Sequence, residues 1–174
     1  MEYKTLNNGI SMPMVGLGVY NISERKTQKV VEEAIATGYR SIDTAAYYDN
    51  EQGVGDAVRA CGVPRESLFI TTKICDSCYT HDQTLRSIGH SMKELGLDYV
   101  DLMLLHWPMG NPKVMWQTLE RLYKRGVFRA IGVSNFYPHL LIDNGGRRGD
   151  ARSQSVRDAC AVSAAEDDGI PQAI

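Results

Sequence analysis

Five apolar runs end at Gly18, Asp43, Lys73, His106 and Ser134, roughly thirty residues apart, which is the period of a strand–helix–strand unit. The runs are Met14 to Val19, Arg40 to Asp43, Leu68 to Lys73, Tyr99 to His106 and Phe128 to Ser134. They lack the strict apolar–polar alternation of a half-exposed strand. They therefore predict parallel strands buried on both faces. Between them lie four helical patterns. The first covers Glu24 to Thr37 behind Ser23 as N-cap, with Val30, Val31, Ala34 and Ile35 on one face. The second starts at Asn50-Glu51, the third follows Thr80, and the fourth follows Asn111-Pro112, a cap before a first-turn proline. Gly38, Gly62, Gly96 and Gly126 follow the four helices, where a left-handed cap favours glycine. Ahead of all this, Tyr3 to Met12 predicts a hairpin turning at Asn7-Asn8-Gly9.

Two architectures share this period, the doubly wound open sheet and the eightfold barrel. A dinucleotide-binding open sheet carries G-x-G-x-x-G after its first strand. Here Gly16-Leu-Gly18-Val-Tyr-Asn21 has asparagine in place of the third glycine. In a barrel, by contrast, polar residues at strand tips share one mouth, where barrel active sites form. The sequence thus favours an α/β fold of the (β/α)8 type, as one domain. A net charge of −2 and a pI near 6.1 give no case for nucleic acid or an anionic membrane. The longest apolar runs are strand-length, and MEYKTLNNGI lacks signal-peptide blocks, so a cytoplasmic protein is expected.

Asp43, Tyr48, Lys73 and His106 form the candidate constellation. A phenol keeps its proton at neutral pH but is a weak acid alone. A nearby Lys73 ammonium stabilises the phenolate, and Asp43 holds that ammonium charged and oriented. His106 can hydrogen-bond a substrate oxygen or share in proton transfer. The set suits protonation of an oxygen turning into an alkoxide, as when hydride adds to a carbonyl. Each residue also has an ordinary reading: Asp43 as a turn former, Tyr48 as one of two packing tyrosines, Lys73 as solvent-facing, His106 as a loop histidine. Their shared rim is what weighs against those readings. Asn50-Glu51 reads as a helix cap, and Met12, Met14, Met92 and Met103 as core. His81, His90 and His139 have no partners by spacing. Cys75-Asp-Ser-Cys78 has metal or redox spacing, but no second pair accompanies it, and Cys61 and Cys160 stand apart. Reduced thiols and no metal are expected.

Pro13 to Tyr20, Gly38 to Gly55, Ile70 to Lys73, Asp98 to Pro108 and Ala130 to Phe136 resemble the aldo-keto reductases, in order, over about Lys4 to Asp143. Among them the stretches are most similar to the microbial diketogluconate reductase and prostaglandin F synthase group. The resemblance implies an eightfold β/α barrel and NADPH-dependent reduction of aldehydes and ketones. It implies Asp43, Tyr48, Lys73 and His106 as catalytic tetrad, with Tyr48 as general acid. It further implies Gly18, Val19, Asp43, Ser134 and Asn135 at the cofactor, and Tyr20, Tyr48, His106 and Trp107 around a small carbonyl substrate.

After Asp143 the composition shifts towards Gly, Ala, Arg and Asp, and Val156 and Val162 are the large aliphatics of residues 144–169. Residues 1–143 are expected to form a partial barrel of about five strands. Residues 144–174 are expected to be a flexible, non-homologous tail with one weak helix, arising from a shifted reading frame or truncation of a longer parent. The family's later cofactor contacts, after strands six, seven and eight, have no counterpart here. An unclosed barrel leaves its first and fifth strands as open edges. Self-association, or a non-catalytic partial barrel paired with another chain, is therefore the alternative expectation.

Overall fold

The computed structural model describes residues 1–74 and 77–136, and the backbone of residues 160–163. The chain opens with an antiparallel hairpin, β1 (Tyr3–Thr5) and β2 (Ser11–Pro13). Its turn is the expected one: Gly9 adopts φ 84°, and the Leu6 N–H donates to the Ile10 carbonyl at 2.8 Å. Strand and helix then alternate: β3 (Leu17–Gly18), α1 (Glu24–Ala36), β4 (Ser41–Asp43), α2 (Glu51–Ala60), β5 (Phe69–Ile74), α3 (His81–Leu95), β6 (Val100–Leu105), α4 (Pro112–Lys124), β7 (Phe128–Ser134) and β8 (Cys160–Ser163).

The sheet decides between the two candidate architectures. Its order is β3-β4-β5-β6-β7-β8, every neighbouring pair parallel. A doubly wound sheet reverses direction at a switch point. Here each strand is added beside the one before it, which is barrel winding. Strands β5 and β6 are buried along their whole length, as the unbroken apolar runs predict.

Two apolar clusters follow from the alternation of side chains along the strands. Ile42, Ile70, Ile74, Met103, Leu105, Ile131 and Val133 face the helices, meeting Val31, Val54, Ile88, Leu95, Met115 and Leu119. Phe69, Leu102, Leu104 and Ala130 face the other way, and Leu6, Ile10 and Met12 of the hairpin pack on them. The hairpin therefore floors the concave side at the N-terminal ends of the strands. Asn8 fixes it there through its Nδ2, which donates to the Arg129 carbonyl at 3.0 Å. At the same end Asp101, its side chain 0% exposed, accepts from Arg65 at 2.7 Å, Arg129 at 2.6 Å and the Ile70 N–H at 2.9 Å.

The helix ends follow their signals unevenly. Thr80 forms a reciprocal capping box with Gln83, and Asn111 accepts from the Val114 N–H ahead of Pro112. Gly38, Gly62, Gly96 and Gly126 all have positive φ after their helices. Ser23, however, makes no side-chain cap; the Thr27 hydroxyl donates to its carbonyl instead. The first core strand is also shorter than expected. Met14 and Val15 lie outside it and are exposed, so Met14 is not core. A Cβ at Gly16 would stand 2.9 Å from Ser41 Oγ, so a side chain at this position would crowd β4. His81, given no partner by spacing, has one: its Nδ1 lies 2.8 Å from Thr118 Oγ1, joining α3 to α4.

Within residues 144–174 the described element is the strand Cys160–Ser163, in register from Ile131↔Cys160 to Ser134↔Ser163; the weak helix expected in this segment lies outside the described residues. The fifth barrel strand offers a row of unpaired backbone groups, and a short stretch containing Val162 suits a pleated surface. The edge expected to be open on β7 therefore carries β8. The rest of that segment, with Cys75 and His139, lies outside the described residues. Among the described residues no helix is long and apolar enough to cross a membrane.

Helix α2 meets α3 through Gly55, where a Cβ would stand 1.8 Å from the Leu95 carbonyl oxygen. Backbone on backbone cannot give way cheaply. Gly55→Ala should lower stability by about 3 kcal/mol, seen as a fall in melting temperature of about 6 to 12 °C; an unchanged melt would contradict this packing.

Candidate active site

Strand register brings the polar tips together. Asp43 pairs with Thr71, Lys73 with Leu104, and Leu104 with Gly132. Side chains two residues apart share a face. Asp43, Thr71, Lys73 and Leu104 are thus on the concave side, with His106 and Ser134 each two residues beyond that set. Tyr48 comes from the loop after β4, where Ala46–Tyr48 forms one 3-10 turn that lays the ring over the tip of β5.

Lys73 is the centre of the cluster, with its side chain 7% exposed. Its Nζ donates in a very short contact to Asp43 Oδ1, to the Thr44 carbonyl at 3.0 Å and to the Tyr48 hydroxyl oxygen at 3.2 Å. An ammonium has three protons, and all three are matched. The Tyr48 oxygen accepts from Lys73, so its own proton is left to point elsewhere. The ammonium also lies 4.8 Å from the Tyr48 ring centroid. Burial pushes the Asp43 carboxyl above its ordinary value, while the Lys73 ammonium and its hydrogen bond draw it down. Its side chain remains 38% exposed, and that retained water limits how far burial lifts it.

The His106 imidazole stands edge-on to Tyr48, with ring centroids 5.6 Å apart. Burial, and then the Lys73 charge, push it from 6.5 down to about 4. It is a neutral imidazole near pH 7, able to donate one N–H bond but holding no surplus proton. Tyr20 packs 5.0 Å from Tyr48, and Trp107 6.2 Å from His106, centroid to centroid. Tyr20, Tyr47, Trp107 and Met109 are exposed around this cluster. Of the two adjacent tyrosines, Tyr47 turns to solvent and Tyr48 to Lys73.

Ser134 ends β7, and Asn135 follows it with φ 62°. The Asn135 Nδ2 donates to the His106 carbonyl at 2.9 Å and to Ser134 Oγ at 3.0 Å. Across the mouth, nothing lies within 4 Å of where a Gly18 Cβ would stand, and Val19 is fully buried behind it. The structure thus brings Asp43, Tyr48, Lys73 and His106 into one cluster. Gly18, Val19, Ser134 and Asn135 lie at its flanks, and Tyr20 and Trp107 at its rim.

Three features lay outside the sequence reading. The Thr44 carbonyl is backbone and leaves no residue signature. Asn50, read as a helix cap, makes no side-chain cap. It accepts from Thr44 Oγ1 at 2.8 Å and donates to the Val19 and Ile22 carbonyls at 2.9 Å each. Glu51, also read as part of the cap, is buried behind β5 and accepts from the Thr72 hydroxyl at 2.5 Å; burial raises its carboxyl, and the Thr72 bond opposes that. Among the described residues there is no metal-competent cluster of His, Cys, Asp or Glu.

The model of the Aldo/keto reductase family matches residues 13–144. A glyoxal reductase of Bacillus subtilis (strain 168) is 49% identical, over 78% of this chain and 50% of its own. A 9,11-endoperoxide prostaglandin H2 reductase of Trypanosoma cruzi (strain CL Brener) is 47% identical, over 80% of this chain and 50% of its own. Among solved structures, a Bombyx mori aldo-keto reductase in complex with NADP superposes with a TM-score of 0.77 at 35% identity, over 82% of this chain and 53% of that one. The chain spans about half the length of the curated relatives it matches.

The depressed His106 has a consequence for pH. Between pH 6.5 and about 4 the unfolded chain binds a proton at this position and the folded chain does not. Its contribution to stability is therefore intact above pH 6.5 and lost as pH falls towards 4. The His106 ring resonance should titrate with a midpoint near 4 by NMR, and His106→Gln should soften the acid loss of melting temperature. A midpoint at the ordinary value would contradict the burial described.

Proposed function

The chain belongs to the aldo/keto reductase family, and from that premise we propose that its mouth reduces a small aldehyde or ketone to an alcohol with NADPH. One observation carries the reading: the Lys73 ammonium has all three protons engaged, so the Tyr48 oxygen accepts and its own proton is left for another acceptor. Such an arrangement is what an acid for a nascent alkoxide needs. His106, neutral, is unsuited to be that acid and suited to hold the carbonyl oxygen by its one N–H. Lys73 stabilises the phenolate left behind, and Asp43 keeps Lys73 charged.

The nicotinamide end of the cofactor fits the residues present. Ser134 and Asn135 offer a hydroxyl and a carboxamide side by side, the chemistry that pairs with another carboxamide. The open space at Gly18 lets a ring approach the strand tip closely. When bound, the reduced nicotinamide supplies the hydride. As the carbonyl is reduced, the Tyr48 hydroxyl would give its proton to the substrate oxygen, and the Lys73 ammonium would hold the phenolate left behind. Tyr48 then recovers a proton from solvent. Asp43 also lies beside this space, at the tip paired with Gly18. Tyr20 and Trp107 give the substrate an aromatic wall. The relatives named above, one a glyoxal reductase and one found with NADP, support both choices.

A second reading has its own observation. Among the described residues β3 has a sheet partner on one side alone, and such an edge invites pairing with another chain. A partial barrel that self-associates without catalysis is that alternative.

NADPH titration followed by fluorescence separates the two. Saturable binding with turnover of a small aldehyde such as glyoxal is expected; a chain that associates and binds no NADPH supports the alternative. Tyr48→Phe should lose about 100-fold or more in kcat with NADPH binding retained, and full activity in that variant would remove Tyr48 from the acid role.

A further inference from the structure

Asn50 is 1% exposed, yet its carboxamide is fully engaged away from its own helix. Its oxygen accepts from Thr44 Oγ1, and its two N–H protons go to the carbonyls of Val19 and Ile22. These three partners belong to loops leaving two different strands, β3 and β4. The Thr44 carbonyl is one of the three acceptors of Lys73. Val19 and its neighbours form the loop proposed to lie beside the nicotinamide. One buried side chain thus ties the cofactor's loop to the group that positions the acid.

The backbone around it is held in an unfavourable conformation. Asn21 has φ 63° and Asp49 φ 54°, left-handed in residues that are not glycine. Such residues persist where their surroundings over-determine them, often at functional sites. Asn21 lies between the two carbonyls that Asn50 holds nearest, and Asp49 directly precedes Asn50. Asparagine is also the side chain that matches this set. Aspartate supplies no donors when ionised, leucine neither donors nor acceptor, and glutamine is one methylene too long.

We infer that Asn50 is a positioning residue that makes residues 18–22 and residues 44–48 move as one unit, so that a cofactor seated on the first loop sets the Lys73–Tyr48 geometry through the second. It touches neither substrate nor cofactor and acts through Thr44. The inference rests on the proposed reading of these loops, and its test does not depend on turnover.

Amide hydrogen exchange read by mass spectrometry on the full 174-residue chain, with and without saturating NADP+, tests it. In Asn50→Leu both loops should exchange at least tenfold faster while α4 keeps its protection. In the parent chain NADP+ should slow exchange in both loops, whereas in the variant its protection stops at residues 18–22. A helix-start role loosens the first turn of α2 alone; that outcome, or wild-type rates in both loops, overturns the inference. Should Asn50→Leu lack a cooperative melt, Asn50→Asp decides. It keeps the acceptor for Thr44 and loses the donors, so residues 18–22 should loosen while residues 44–48 hold, and NADP+ protection should no longer pass between them. Wild-type exchange in residues 18–22 of that variant overturns the inference too. A parent chain that shows no NADP+ protection refutes the cofactor reading, and the unliganded loop rates still decide whether Asn50 joins the loops.

Discussion

The buried Lys73 ammonium is the constraint on which the site depends. A charge taken out of water needs partners for every proton, and Lys73 finds three: a carboxylate, a main-chain carbonyl and a phenol. Each partner gains a function from the arrangement. Asp43 becomes the counter-charge, the Thr44 carbonyl takes a second proton, and the Tyr48 oxygen becomes an acceptor whose own proton is left for another partner. The same charge helps keep His106 neutral. One satisfied cation thus sorts two neighbouring groups into one that can give a proton and one that can hold an oxygen.

The fold delivers this cation by register. Parallel strands added in sequence order place side chains of equal parity on one face, and the concave face changes character along its length. At the bottom it is apolar, floored by the hairpin through Leu6, Ile10 and Met12. At the top it is polar, from Asp43 to Ser134. The bottom rim has its own charged clamp around Asp101, with the carboxylate enclosed and the two guanidinium groups reaching outward. In a barrel the two ends divide stability from chemistry, and here a buried carboxylate, Asp101, ties the lower end while a buried ammonium, Lys73, organises the upper one.

Much of this was legible because it depends on residue type at fixed spacing. The thirty-residue period, the glycines after helices and the tip residues Asp43, Lys73 and His106 all leave marks in the sequence, and the family resemblance runs through the same segments. What escaped depends on direction or on backbone. Asn50 has the right type for a helix cap and sits at the cap position, but its side chain turns back across its own loop to Thr44 and over to the loop after β3. Ser23 likewise loses its capping role, and the Thr27 hydroxyl binds its carbonyl. The first strand is limited to Leu17–Gly18, although the apolar run begins at Met14. Cys160–Ser163 pairs with β7, and a sheet edge is a property that no residue type in β7 announces.

Of the three groups around Lys73, the Thr44 carbonyl differs in kind. Every residue carries a carbonyl, so no ordinary codon change deletes this acceptor; exchanging the Thr44 side chain leaves it in place. Two of the ligands of the cation are thus heritable as letters of the gene, and the third is heritable as shape. A lineage can lose Asp43 or Tyr48 in a single step, whereas it loses the third acceptor by letting the loop drift. Scanning by substitution therefore sees two thirds of this coordination directly, and the remainder is visible to chemical protein synthesis, in which the amide that supplies the carbonyl is itself replaced.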